Sequence, residues 1–201
     1  MIGLNRRRMM GNALPYDAEI EYLESSGTQW IDTGILGNAP IESFVDFSVN
    51  NLNAQVILGG SSSPRVYLVE VSYKKFCIGY NKVFKFGSSN IETNTRYNTH
   101  TVFKAGTQQL YVNDVLSISS DLNETVTSNY SLALFRLGSS SSSQFNTYGK
   151  IYNCKIIQND VLVRDYIPVR VGQVGYMYDK VSGQLFGNSG SGNFILGNDV
   201  N

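Results

Sequence analysis

A chain of 201 residues is long enough for one domain with its own core, or for one domain and a short appendage. Only 16% of it is charged, and 13 Tyr, 10 Phe and 19 Gly sit among abundant Ser, Asn and Thr, which excludes an amphipathic helical bundle and favours strands joined by uncharged polar loops. The formal charge of zero hides an asymmetry: residues 1–15 hold Arg6, Arg7 and Arg8 and no acid, so residues 16–201 carry 13 basic against 16 acidic groups.

Residues 1–15 read as a basic arm closed by Pro15, and residues 16–201 as the domain. Strands are predicted over Ile20–Leu23 and Gln29–Ile31, parted by the turn Ser25-Ser26-Gly27. Ile41–Val49 alternates apolar and polar side chains, the mark of a strand with one buried face. Val56–Leu58 runs into the loop from Gly59 to Pro64. Arg65–Tyr73, Lys75–Tyr80 and Lys82–Phe86 then follow at the close spacing of an antiparallel meander. Tyr97–Lys104 and Gln108–Asn113 flank the Ala105-Gly106-Thr107 turn, and Asn113-Asp114 turns the chain into Val115–Ile118. Tyr130–Leu137 precedes the serine run Ser139–Ser143, a solvated loop. Gly149–Gln158, Asn159-Asp160 and Val161–Tyr166 form a last strong hairpin. No helix, no internal repeat and no membrane-spanning apolar run is predicted.

The stretch Glu21-Tyr-Leu-Glu-Ser-Ser-Gly-Thr-Gln-Trp-Ile-Asp-Thr-Gly34 resembles the opening strands of laminin-G-like, concanavalin A-like β-sandwiches. Tyr166-Ile-Pro-Val-Arg170 and the tail from Gly175 to Asn188 are the other specific parts of the resemblance, and the likeness is closest to the members carried by phages and prophages of gut bacteria. The segment Thr101–Leu116 is similar to the family's "Leu-Tyr-Val-Asn/Asp-Gly" hairpin, with Asp114 where Gly is usual; Asp tolerates the left-handed conformation this turn needs. The resemblance spans residues 17–198. It implies an all-β, two-sheet antiparallel jelly-roll sandwich with an extended N-terminal arm. It also implies a non-enzymatic protein of the virion surface, a decoration, fibre or tail-associated component that binds host or mucosal glycans. The alternative is a secreted or cell-surface bacterial carbohydrate-binding module outside any particle. The arm lacks the apolar stretch of a secretory signal, which favours release with a virion at lysis.

Glycoside hydrolysis needs two carboxylates facing a cleft, and sandwich enzymes carry them as an alternating acidic run on one strand. The nearest candidates, Glu19, Glu21 and Glu24, lie at the first strand, where a sandwich has its edge. His100 stands mid-strand without a Gly-x-Ser-x-Gly partner motif, so no catalytic residue is assigned. Cys77 and Cys154 fall in apolar runs, as buried free thiols or as a single disulfide. Asp32, Asp114, Asp121 and Asp179 are turn and strand-end residues; no metal is assigned, and a single Ca²⁺ at the sandwich rim stays open. Sugar binding uses aromatic faces flanked by hydrogen-bonding groups. Tyr67, Tyr73 and Tyr80 in the meander and Tyr148 beside the serine loop are the candidate ligand contacts, whereas Trp30 is read as a core anchor. Arg6, Arg7, Arg8, Met9 and Met10 form a candidate docking peptide for other virion proteins. Three arginines before an acidic domain make a poor nucleic-acid site. A homo-oligomer stays open.

Overall fold

The computed structural model describes residues 14–61, 65–80, 83–121, 128–138 and 145–200; the arm residues Arg6, Arg7, Arg8, Met9 and Met10 and the serine run lie outside them. The described residues are all-β. The chain forms β1 (Ala18–Glu19), β2 (Leu23–Ser26), β3 (Ile31–Leu36), β4 (Ile41–Val49), β5 (Gln55–Ser61) and β6 (Arg65–Ser72). It continues through β7 (Lys75–Tyr80), β8 (Val83–Asn90), β9 (Tyr97–Lys104), β10 (Thr107–Val112), β11 (Val115–Ser120) and β12 (Ser131–Leu134). The last third holds β13 (Leu137–Gly138), β14 (Tyr148–Gln158), β15 (Val161–Val171), β16 (Val174–Asp179), β17 (Gln184–Phe186) and β18 (Ile195–Leu196).

An 11-stranded sheet runs in the order β11-β10-β9-β4-β14-β15-β16-β17, with β1, β2 and β18 attached beside it. A 7-stranded sheet runs β3-β12-β5-β6-β7-β8, with β13 on β5. Between them lies one core that includes Leu23, Ile31, Val45, Phe47, Phe76, Phe103, Leu134, Tyr166 and Met177. Phe47 from one sheet meets Phe76 from the other edge to face, with ring centroids 6.3 Å apart. This is the two-sheet jelly-roll sandwich that the resemblance implied.

Three tight hairpins turn on pairs of residues with positive φ: Asn113-Asp114 (49° and 64°), Asn159-Asp160 (53° and 59°) and Tyr73-Lys74 (52° and 61°). Both signs positive is the mirror-type turn whose twist matches the flanking strands, and Asn and Asp accept it readily. Tyr and Lys do not, so the β6–β7 turn is strained.

Three predicted strands differ in detail. Ile20–Leu23 is not one strand: Ile20 makes an isolated bridge to Asp199, and β2 starts at Leu23 and takes in Ser25 and Ser26 of the predicted turn. Gln29–Ile31 is mostly loop, because the Ser26 amide donates to Gln29 Oε1 at 2.9 Å and closes the turn with a side chain; the strand starts at Ile31. Tyr130–Leu137 is broken in two at Phe135, whose φ is 69°, so that β12 runs antiparallel to β5 and β13 parallel to it. Cys77 and Cys154 lie in different sheets as buried free thiols, and burial pushes both well above the usual thiol range. No helix among the described residues is long and apolar enough to cross a membrane.

Candidate functional site

The first half of β14 pairs with β2, Tyr148 to Ile151 against Ser26 to Leu23. Its second half pairs with β15, Cys154 to Gln158 against Tyr166 to Val161. Tyr152 and Asn153 fall at this change of partner, and β15 makes its own change there, meeting β1 only at Val169 and Arg170. Pro168 lies in that interval, where a missing N–H leaves the ladders intact. The gap is a groove of about 460 Å³ on the outer side of the 11-stranded sheet. Glu19 to Tyr22 enter it from the edge, Tyr152 and Asn153 from β14, and Arg96 from the turn before β9.

The side chains here are held in place. Arg96 Nε donates to Asp46 Oδ1 at 2.8 Å and its Nη2 to Oδ2 at 2.5 Å, a two-pronged bond that raises the arginine pKa. Its guanidinium also lies 4.0 Å over the Tyr152 ring. Asn153 Nδ2 donates to the same Asp46 at 3.2 Å. Tyr152 meets Tyr22 edge to face at 5.7 Å, and the Lys150 ammonium stands 4.2 Å over Tyr22. Each acid is anchored by one oxygen: Tyr16 donates to Glu19 Oε1 at 3.0 Å and Asn198 Nδ2 to Glu21 Oε2 at 3.0 Å. Burial, with Glu19 beside it, pushes the Tyr16 phenol up to about 12. An arginine and an amide donate while two carboxylates accept. That set suits a polyhydroxylated ligand, because each hydroxyl both donates and accepts.

The sequence placed the ligand contacts elsewhere, and the structure does not bring those four tyrosines together. Tyr67 is 1% exposed, closed between Phe84 (5.2 Å) and Phe145 (6.4 Å) on the outer face of the 7-stranded sheet. It belongs to a small second cluster with Val56 and Leu137, and no ring face is left for a sugar. Tyr80 points the other way, into the main core. Register shifts between Tyr67 and Glu70 decide these directions, and strand alternation alone does not reveal them. Tyr73 is 83% exposed at its strained turn and touches Phe86 at 6.0 Å. Tyr148, 44% exposed, covers Gly27, where a Cβ would lie 2.4 Å from the ring.

Other readings resolve as follows. Trp30 packs at the rim of the core, with the Arg136 guanidinium 4.6 Å over its ring. His100 Nε2 bonds Glu42 at 3.0 Å and its ring stacks on Phe44 at 4.1 Å, the hydrogen-bonded strand residue expected. The aspartates are employed separately: Asp32 accepts from the Gly34 amide at 2.9 Å, Asp114 forms a turn, and buried Asp179 accepts from the Asp165 amide at 2.8 Å. Among the described residues no group of three or more His, Cys, Asp or Glu could hold a metal ion.

The carboxyl with a raised pKa is Glu70, lifted to about 7 by burial and drawn back only by a bond from Ser72. It is 6% exposed, its Oε2 has no hydrogen-bond partner, and it stands across from Cys77 on the 7-stranded sheet. Glu70 and the open groove are therefore on opposite sides of the sandwich.

Arg96, Asp46, Tyr152 and Asn153 were missed by sequence reasoning. Arg96 and Asp46 are 50 residues apart, and only the pairing of β4 with β9 makes them neighbours.

No protein-family model matches the chain, and no curated protein matches it. Solved structures do. A candidate carbohydrate-binding protein from Bacteroides ovatus is similar over 89% of this chain with a TM-score of 0.66 at 11% identity. The chain spans 60% of that protein's length. A heptameric SAP-like pentraxin from Limulus polyphemus is similar over 90% of this chain and 95% of its own, with a TM-score of 0.54 at 11% identity. At this identity the likenesses show the fold alone, a two-sheet jelly-roll sandwich.

Proposed function

We propose that this chain is a non-catalytic, glycan-binding β-sandwich whose sugar site is the groove around Arg96, Tyr152, Asn153, Glu19 and Glu21. The observation that carries the reading is the fixing of Arg96 by Asp46 and Tyr152, which leaves a donor preorganised beside free acceptor oxygens. The ring faces of Tyr22 and Tyr152 are already taken by cations, so recognition runs through hydrogen bonds more than through stacking. The shared fold with the Bacteroides ovatus protein supports the same reading. A glycan array probed with the full chain and with Arg96→Ala tests it. Binding of a defined glycan set, weakened about tenfold or more in the variant, is expected from loss of a charged hydrogen bond. A full chain that binds nothing on the array contradicts it.

The setting we favour is the virion surface, with residues 1–15 docked on other virion proteins and the sandwich turned outward to host or mucosal glycans. The support is the charge asymmetry of the arm and the sequence resemblance. The second setting is a secreted or cell-surface bacterial carbohydrate-binding module. Deleting residues 1–15 separates them: the truncated sandwich folds, and in the virion setting it no longer enters particles. Normal incorporation of the truncated chain overturns anchoring by the arm.

A further inference from the structure

Among the described residues β8 is the last strand of one sheet and β11 the last of the other, and the two lie on the same side of the sandwich. A cleft of about 350 Å³ opens between them. Its polar lining is Ser88, Ser89, Asn90, Asn113 and Ser117, and its apolar lining includes Tyr97 and Leu116. None of its lining residues carries a charge. β8 and β11 approach closely at Gly87, where an added Cβ would lie 2.6 Å from Ser117 Oγ. That same Ser117 Oγ is buried and has no hydrogen-bond partner, and a buried hydroxyl left unpaired is costly.

A second observation lies at the mouth. Asn90 is paired with Lys75, one residue beyond the Tyr73-Lys74 turn, and the Ile91 amide donates to the Lys74 carbonyl at 2.9 Å. Two non-glycine residues are thus kept in left-handed conformations beside the cleft, and Tyr73 is held out into solvent with its ring supported by Phe86. Strain of this kind persists where the surroundings enforce it, and it gathers at binding sites.

We infer that the cleft between β8 and β11 is a second binding site, for a neutral, hydroxyl-rich ligand with one apolar face, such as an uncharged sugar residue. The inference deepens the glycan-binding reading and rests on it. The lining supplies hydroxyl and amide groups that pair with sugar hydroxyls in either sense, and Tyr97 with Leu116 supplies the apolar contact. With no ionic partner in the lining, binding here is insensitive to salt, whereas the groove with Arg96, Glu19 and Glu21 responds to it. Two sites on different sides of one domain also let it hold a branched or repeating glycan at two points, with the gain in avidity that linkage brings.

The test is an amide-resolved NMR titration of the full chain with the methyl glycosides of glucose, galactose and mannose, at low salt and at about 0.5 M salt. The expected result is that at least one glycoside shifts Ser88, Ser89, Asn90 and Ser117 equally at both salt levels. Ser89→Trp, at an exposed position that fills the mouth, weakens those shifts about tenfold or more, while Arg96→Ala leaves them unchanged. Shifts confined to Arg96, Tyr152 and Asn153 overturn the cleft and leave the groove standing. Shifts at neither place overturn both. Cleft shifts that follow protein concentration without sugar show a second copy covering the edge, and they overturn the inference too.

Discussion

The outer faces of the two sheets are made of opposite chemistry. On the 11-stranded sheet charged groups meet across strands: Glu42 with Lys104 at 2.7 Å and with His100 at 3.0 Å, and Asp46 with Arg96 and Asn153. The Lys104 ammonium, with the hydrogen bond to His100 beside it, holds the Glu42 carboxyl below the usual range. On the 7-stranded sheet an aromatic and aliphatic layer of Val56, Tyr67, Leu137 and Phe145 closes over the strands. The acid there, Glu70, meets no cation among the described residues, and burial drives it toward the neutral form. Tyr67 is closed in by its neighbours on the 7-stranded sheet, where Phe84 and Phe86 stay exposed, and the open, hydrogen-bonding groove lies on the face where ions pair. Rings that pack on one another are used up; polar groups that are fixed yet still open are what a ligand can use.

The largest effect that would sharpen this contrast is at Tyr67. If its ring is core, Tyr67→Ala costs about 3–5 kcal/mol in urea unfolding and leaves glycan affinity unchanged. A stable Tyr67→Ala protein that has lost binding would return the ligand to the 7-stranded sheet.

Glu70 comes next. Its folded pKa of about 7 stands above the ordinary 4.5, so the protonated form is favoured on folding. The stabilisation is fully present below about 4.5 and is lost as pH rises through about 7. The difference corresponds to at most about 3 kcal/mol. Glu70→Gln removes the titrating group, so the variant matches the parent at low pH, exceeds it at alkaline pH and shows a flatter profile. Denaturation midpoints across this range measure it, and an unchanged slope in the variant would place the titration elsewhere.

A smaller effect tests the strained turn. Tyr73→Asn relieves a left-handed tyrosine and gains about 1 kcal/mol, a rise of about 2–4 °C in Tm. If the exposed ring serves the cleft, the same variant weakens binding of the neutral glycosides. A variant that is no more stable than the parent would show that the turn costs nothing.

Much of the sandwich was legible because its signals are local. The alternation over Ile41–Val49 and the turns at Asn113-Asp114 and Asn159-Asp160 read directly from residue types, and the last two fall where predicted. The site was not legible, for three physical reasons. Tyr152 and Asn153 belong to the site because β14 changes partner beside them, a property of topology with no residue signature. Arg96 and Asp46 meet through strand pairing 50 residues apart. Tyr67 and Tyr80 part to opposite faces through register shifts that period-two counting cannot foresee. The turn between Arg65–Tyr73 and Lys75–Tyr80 falls where the meander spacing put it, but its left-handed conformation went unseen, because Tyr and Lys carry none of the usual signals for it.

The most direct test of the central claim is a crystal structure of the full chain with a glycan selected on the array. The account predicts a sugar ring in the groove, with hydroxyls bonded to Arg96, to the Asn153 amide and to the free oxygens of Glu19 or Glu21. A sugar stacked instead on Phe84 and Phe86 over the 7-stranded sheet, with the groove empty, would contradict it.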